Sequence, residues 1–149
     1  MRDDKIKEAK AKAGHFCAYQ ERSQQEVRDK LYLLGLYSDE VELVLSELIT
    51  ENYVNEERFA RSFASGKFRI KQWGRRKIAY ALKQRHISTY CISRAMQEIP
   101  QDEYLQTIEL LIAKKARSLT GDQLSIKRKV ANYLISKGFE GELVWDMLN

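Results

Sequence analysis

The chain has 149 residues, with 26 Lys+Arg against 21 Asp+Glu, one Pro, seven Gly and two Cys, a formal charge of +5 and a pI near 9.2. That length suits one ordinary domain or a few small modules sharing a core, and 44% hydrophobic with 32% charged residues is a globular, not a disordered, composition. So little Pro and Gly excludes an all-β fold with many hairpins, and an excess of five positive charges is too small to identify an anionic partner until its distribution is known.

The opening segment MRDDKIKEAKAKAGHF has mixed charge and no apolar run of the secretory kind, and no stretch approaches the ~20 apolar residues that span a bilayer. A cytoplasmic protein without a membrane partner is expected. A first helix is predicted over about 5–22. Ser23-Gln24-Gln25-Glu26 then reads as a capping box, with the Ser hydroxyl reaching forward and the Glu reaching back to free N–H groups. The helix it opens carries VRDKLYLLGL (27–36) and stops at Gly35, a residue that adopts a left-handed conformation without a Cβ clash. Ser38 opens a short helix with the stripe Val41, Val44 and Leu45. A longer helix is predicted over 55–71, with Phe59, Phe63 and Ile70 on its apolar side, followed by IAYALKQRHI (78–87), where His86 replaces the Gly. Ser88 opens the next helix, bearing Ile92, Ala95 and Met96. Pro100 marks the start of a helix over 101–119 with Leu105, Ile108, Leu111 and Ile112. VANYLISKGF (130–139) ends at Gly138, and Glu140 opens a last helix bearing Val144, Met147 and Leu148.

These segments repeat in register. Val27, Leu31 and Leu36 match Ile78, Leu82 and Ile87, then Val130, Leu134 and Phe139, with starts at 27, 78 and 130. The stripes of the following short helices match in the same register, at the i, i+3, i+4 spacing of an amphipathic helix. The expected fold is all-α: three tandem three-helix repeats, 1–52, 53–99 and 100–149, forming an elongated, curved array.

Nothing in the chain points to catalysis. Cys17 and Cys91 form no CxxC pair and read as buried or half-buried thiols, and His15 with Cys17 has no third or fourth metal ligand nearby. There is no GxxxxGK[ST], GxGxxG, GxSxG or HExxH, and Asp3-Asp4, Asp39-Glu40 and Glu56-Glu57 stand near helix starts, where acids favour the dipole. No cofactor and no metal are expected.

Divided along the repeat, the charge is −3 over 1–52, +8 over 53–99 and 0 over 100–149, and no Asp or Glu occurs from Arg58 to Gln97. Helical surfaces ordinarily mix signs, because i,i+4 pairs of opposite charge stabilise them. The stretch is therefore either a solubilising face or a surface for an anion, nucleic-acid phosphate or an acidic protein groove. Its densest part, Lys67 to Lys77, spans a helix end, a Gly turn and a helix start whose free N–H groups add positive potential. Trp73 offers a ring for stacking on a base, though a Trp at such a turn ordinarily buries its ring in the interhelical corner. Tyr37, Tyr53, Tyr80, Tyr90 and Tyr104 read mostly as packing residues.

The triplicated pattern with ENYVNEERFARSF (51–63) and WGRRKIAYALKQRHIS (73–88) resembles the RecX family of regulators of the bacterial recombinase RecA. Tyr53-Val-Asn55-Glu56, Arg58-Phe59-Ala60 and Trp73-Gly74 with Ile78 carry the resemblance, joined by Arg22-Ser23, Glu26-Val27 and Leu31; Arg75 stands where many members have Pro. The resemblance implies a non-enzymatic, all-helical protein that lies in the groove of the RecA–DNA filament and damps its ATPase and strand exchange during DNA repair. Charge clustering on the matched segment nominates Lys67, Arg69, Lys71, Arg75, Arg76, Lys77, Lys83 and Arg85 as contacts to the filament, with single- or double-stranded DNA bound regardless of sequence by a monomer. The competing expectations are a free-standing DNA-binding regulator and a helical adaptor for another acidic protein.

Overall fold

Apolar residues recurring every three or four positions, punctuated by caps, give nine helices in a computed structural model that describes residues 1–149: α1 (Arg2–Tyr19), α2 (Gln24–Leu33), α3 (Ser38–Thr50), α4 (Glu56–Arg69), α5 (Arg75–Gln84), α6 (Thr89–Met96), α7 (Gln101–Arg117), α8 (Gln123–Ser136) and α9 (Gly141–Leu148). None is long and apolar enough to cross a membrane. The nine repeat positions are all buried: Val27, Leu31 and Leu36, Ile78, Leu82 and Ile87, Val130, Leu134 and Phe139. In the short helices Val41, Val44, Leu45, Ala95 and Val144 are buried, while Ile92, Met96, Met147 and Leu148 only lean on the core.

The stops at the second helix of each triplet are built alike. Leu36 N–H donates to Leu31 O, Ile87 to Leu82 and Phe139 to Leu134, at 3.3, 3.2 and 3.1 Å, each one residue after a left-handed position. Gly35 (φ 91°) and Gly138 (φ 98°) fill that position without strain, whereas His86 is forced into it at φ 60°. The middle stop thus keeps the same geometry at a conformational cost. The Ser23 box is only half as expected: Glu26 N–H donates to Ser23 Oγ at 3.1 Å, but the Glu26 carboxylate accepts from the Ser23 hydroxyl instead of the backbone. A carboxylate that does reach back is Glu40, which accepts from Tyr37 N–H at 2.8 Å at the start of α3.

Helices pack chiefly within their own triplet, α1 with α2 and α3, α4 with α5 and α6, α7 with α8 and α9. The most extensive pair is α4 with α6, where fully buried Ala60, Ala64 and Ala95 let the backbones approach. The first triplet closes its own core, with Ala9, Ala13 and Cys17 of α1 set against Val27, Leu31, Val41, Val44, Leu45 and Leu48. The second and third triplets share a single core that runs from Phe59 and Ile78 to Tyr104, Val130 and Phe139. The accessible surface of 9220 Å² exceeds the roughly 7,900 Å² of a compact monomer of 17.5 kDa, as an elongated arrangement requires.

Two apolar expectations fail. Ile70 follows the last residue of α4 and is 80% exposed, so the stripe ends at Phe68. Of the five tyrosines, only Tyr104 is a core residue; Tyr37, Tyr80 and Tyr90 are about two-thirds exposed and Tyr53 about half, since each lies where the helix turns its face to solvent.

The joint between the second and third triplets is a contact of backbone on backbone. Gly74 N–H donates to Lys137 O at 2.8 Å and Arg76 N–H to Gly138 O at 3.0 Å. A Cβ on Gly74 would sit 2.3 Å from Gly138 C and Phe139 N, and one on Gly138 would sit 2.6 Å from Lys77 N. Gly74→Ala should therefore lower stability by about 1–3 kcal/mol in urea unfolding, the range for overpacking a rigid contact. His86→Gly, which relieves the left-handed residue, should raise it by about 1 kcal/mol.

Candidate nucleic-acid interface

The basic segment leaves α4, turns through 70–74 and enters α5, and the third triplet already occupies much of that turn. The start of α5 has no side-chain cap. Its early N–H groups are not free, as the sequence suggested: Arg75 N–H donates to Tyr104 Oη at 3.1 Å and Arg76 N–H to Gly138 O. They hold the joint together, so they add nothing to the positive surface. Tyr104 also donates to Glu140, and the Arg75 guanidinium lies 3.8 Å from the centre of the Tyr104 ring, with one nitrogen 3.1 Å from Glu140 and another bonded to Gln101. Burial first, and the Glu140 hydrogen bond second, push the Tyr104 phenol well above its ordinary range.

The eight nominated cations therefore separate. Arg75 is a joint residue. Arg69 is exposed and pairs with Glu103 of α7 at 3.1 Å. Lys67 and Lys77 flank the half-buried Trp73 ring, at 4.9 and 4.5 Å from its centroid. Arg85 and Lys67 lie over Phe63, at 4.8 and 5.4 Å. Lys71, Arg76 and Lys83 are exposed and have no carboxylate within 4.0 Å. Trp73 packs against the shared core, in the interhelical corner.

The middle triplet's arginines acquire acids that lie elsewhere in the chain. Arg58 pairs with Glu21 of the first triplet, Arg69 with Glu103 and Arg75 with Glu140 of the third, Arg61 with Glu98 and, at longer range, Glu57, and Arg94 with Glu57. Six cations remain without a carboxylate: Lys67, Lys71, Arg76, Lys77, Lys83 and Arg85. Cation–π contacts at exposed sites stabilise by only about 0.5–1 kcal/mol, so the cations on Trp73 and Phe63 keep most of their field for a partner. Tyr104 and Glu140 escaped the sequence reading as site residues because nothing local distinguishes a joint residue from a core Tyr and a helix-opening Glu.

A row of three-helix domains, braced by arginine pairs and with six cations of the middle one left without carboxylates, is the architecture of an all-helical repeat protein. Residues 9–48, 55–96 and 101–148 match in order the first, second and third three-helix domains of RecX. The chain belongs to the RecX family, a family of regulatory proteins and not of enzymes. It is 30% identical to the regulatory protein RecX of Prosthecochloris aestuarii over 149 residues, covering 100% of this chain and 97% of that protein. It is 26% identical to that of Bacillus cytotoxicus over 95% of this chain, but spans only 53% of that longer relative. The crystal structure of RecX from Lactobacillus salivarius superposes with a TM-score of 0.87 at 22% identity, covering 98% of this chain and 95% of that one.

Tyr104→Phe leaves Glu140 and the Arg75 N–H without their shared partner and should cost about 1–3 kcal/mol at neutral pH. A phenol whose folded pKa is raised contributes stability that is whole below its unfolded pKa of 10.0 and is lost as pH climbs above it. Urea midpoints should thus fall less steeply above pH 10 in the Phe variant than in the parent.

Proposed function

We propose that this chain binds along the RecA–DNA filament through its middle domain and damps filament growth, ATP hydrolysis and strand exchange in DNA repair. The observation that carries the reading is the set of six cations, Lys67, Lys71, Arg76, Lys77, Lys83 and Arg85, left without carboxylates while the surrounding arginines are all paired. Family membership supplies the regulatory role and, with it, RecA as the partner. Four of the six are lysines, compact charges on flexible stems that suit phosphates irrespective of base sequence. Three domains in a row can meet successive units of a repeating filament, so that weak contacts add through high effective concentration, with no need for self-association.

A free-standing reader of the major groove would need the N-terminal residues of a recognition helix at base edges. In α5 that end is packed on Gly138 and Tyr104, which favours the filament reading. Titration into the cognate RecA with single-stranded DNA should suppress ATP hydrolysis at a molar ratio well below one. Arg76→Glu with Lys83→Glu should raise the concentration for half-suppression about tenfold or more (~1.4 kcal/mol), with circular dichroism unchanged. An ATPase indifferent to a stoichiometric amount of the parent protein would refute the proposal.

A further inference from the structure

The basic surface does not end at the middle domain. A cleft of about 190 Å³ lies across the joint, lined by Gln72 of the turn after α4, Leu111, Lys114, Lys115 and Ser118 at the end of α7, and Tyr133 in the last turn of α8. Lys137, which follows α8, donates its Nζ to the Lys71 backbone carbonyl at 3.2 Å, so its ammonium sits against the turn that follows α4. The Tyr133 ring lies beneath both Lys115 and Lys137, at 4.7 and 5.8 Å from its centroid. No acid lines the cleft, and none of Lys71, Lys114, Lys115 and Lys137 belongs to an ion pair.

Lysines at helix C-termini have an ordinary explanation, the negative end of the dipole, and three helix ends converge here. The magnitudes leave a remainder. Three C-termini supply roughly −0.5 each, about −1.5 together, against the three full positive charges of Lys114, Lys115 and Lys137. About half of that positive charge is unexplained by the fold. Gln72, which stops α4 in a left-handed conformation at φ 55° much as His86 stops α5, also lines the cleft.

We propose that this cleft is a second phosphate site, one that takes the sugar-phosphate backbone of single-stranded nucleic acid and extends the binding face from the middle domain onto the third. Lys114, Lys115 and Lys137 supply the charge, the Gln72 amide is a neutral donor, and the partly exposed Tyr133 ring offers a face for an adjoining base. A net charge of zero hides this in the third triplet, whose acids Glu103 and Glu140 are drawn off by Arg69 and Arg75. The site deepens the nucleic-acid part of the function proposed above but stands on different residues, so the two can fail separately.

The test is fluorescence anisotropy of a labelled oligo-dT with the full chain across a series of salt concentrations. Lys114→Gln with Lys115→Gln should weaken binding several-fold and flatten the slope of log K against log salt by about 1.4, at ~0.7 per single-strand phosphate contact. Arg76→Gln with Lys83→Gln is the parallel variant for the middle domain. Unchanged affinity and slope in the α7 variant, beside a loss in the middle-domain variant, would overturn the second site alone. No binding of oligo-dT by the parent chain would overturn both the site and the DNA contact of the main reading. Weaker binding with an unaltered slope would also count against it, because the contact would not be ionic. If the α7 variant melts early, lysine acetylation of the parent chain gives the same decision: Lys114, Lys115 and Lys137 should be protected by oligo-dT, and equal labelling with and without it would overturn the site.

Discussion

Two turns meet backbone to backbone where Trp73-Gly74 presses on Gly138-Phe139, and the joining of the second and third domains depends on that contact. Neither glycine has room for a Cβ, since the neighbouring chain already lies within 2.6 Å of where each would stand. The approach hands the first N–H groups of α5 to Gly138 O and Tyr104 Oη, and the Arg75 guanidinium to Glu140. It also sets the Lys137 ammonium of the third domain against the Lys71 backbone carbonyl of the second, so a lysine crosses the joint as well.

The middle domain divides its eleven cations between two roles. Its arginines at 58, 61, 69, 75 and 94 all find carboxylates, and three of these five pairs cross to a neighbouring domain. A planar guanidinium can bond several acceptors at once, as Arg58 does with Glu21, Asn52 and Tyr53, which suits it to bracing a joint. Lys67, Lys71, Lys77 and Lys83, together with Arg76 and Arg85, stay without a carboxylate. The acid-free stretch is thus neither wholly a solvated face nor wholly a docking surface: five of its charges are structural and six are free.

The two joints differ in kind. Between the second and third domains the apolar core is continuous. The first domain keeps a core of its own and is tied to the second through the Arg58 contacts to Glu21 and Asn52. Polar ties on a partly exposed arginine give way more readily than a shared core. The first joint is therefore the softer one.

The repeat of aliphatic residues, the stops at Gly35 and Gly138 and the charge of the middle domain were legible along the chain, because each depends on neighbours within about ten residues; that His86 would build the same stop was not. Helical periodicity places Val27, Leu31 and Leu36 on one face whatever surrounds them, and the nine equivalent positions are buried as that period requires. The first helix was harder to read, for its buried face is Ala9, Ala13 and Cys17, too small to stand out as a stripe. The fate of each charge was not legible at all. Arg75 meets Glu140 across 65 residues and Lys137 meets Lys71 across 66. No local pattern separates an arginine that will be paired from a lysine that will not. The linear order of residues settled how much positive charge the middle domain carries; the packing of helices and domains against one another settled which of those charges are paired, because pairing is a matter of distance in space and not along the chain.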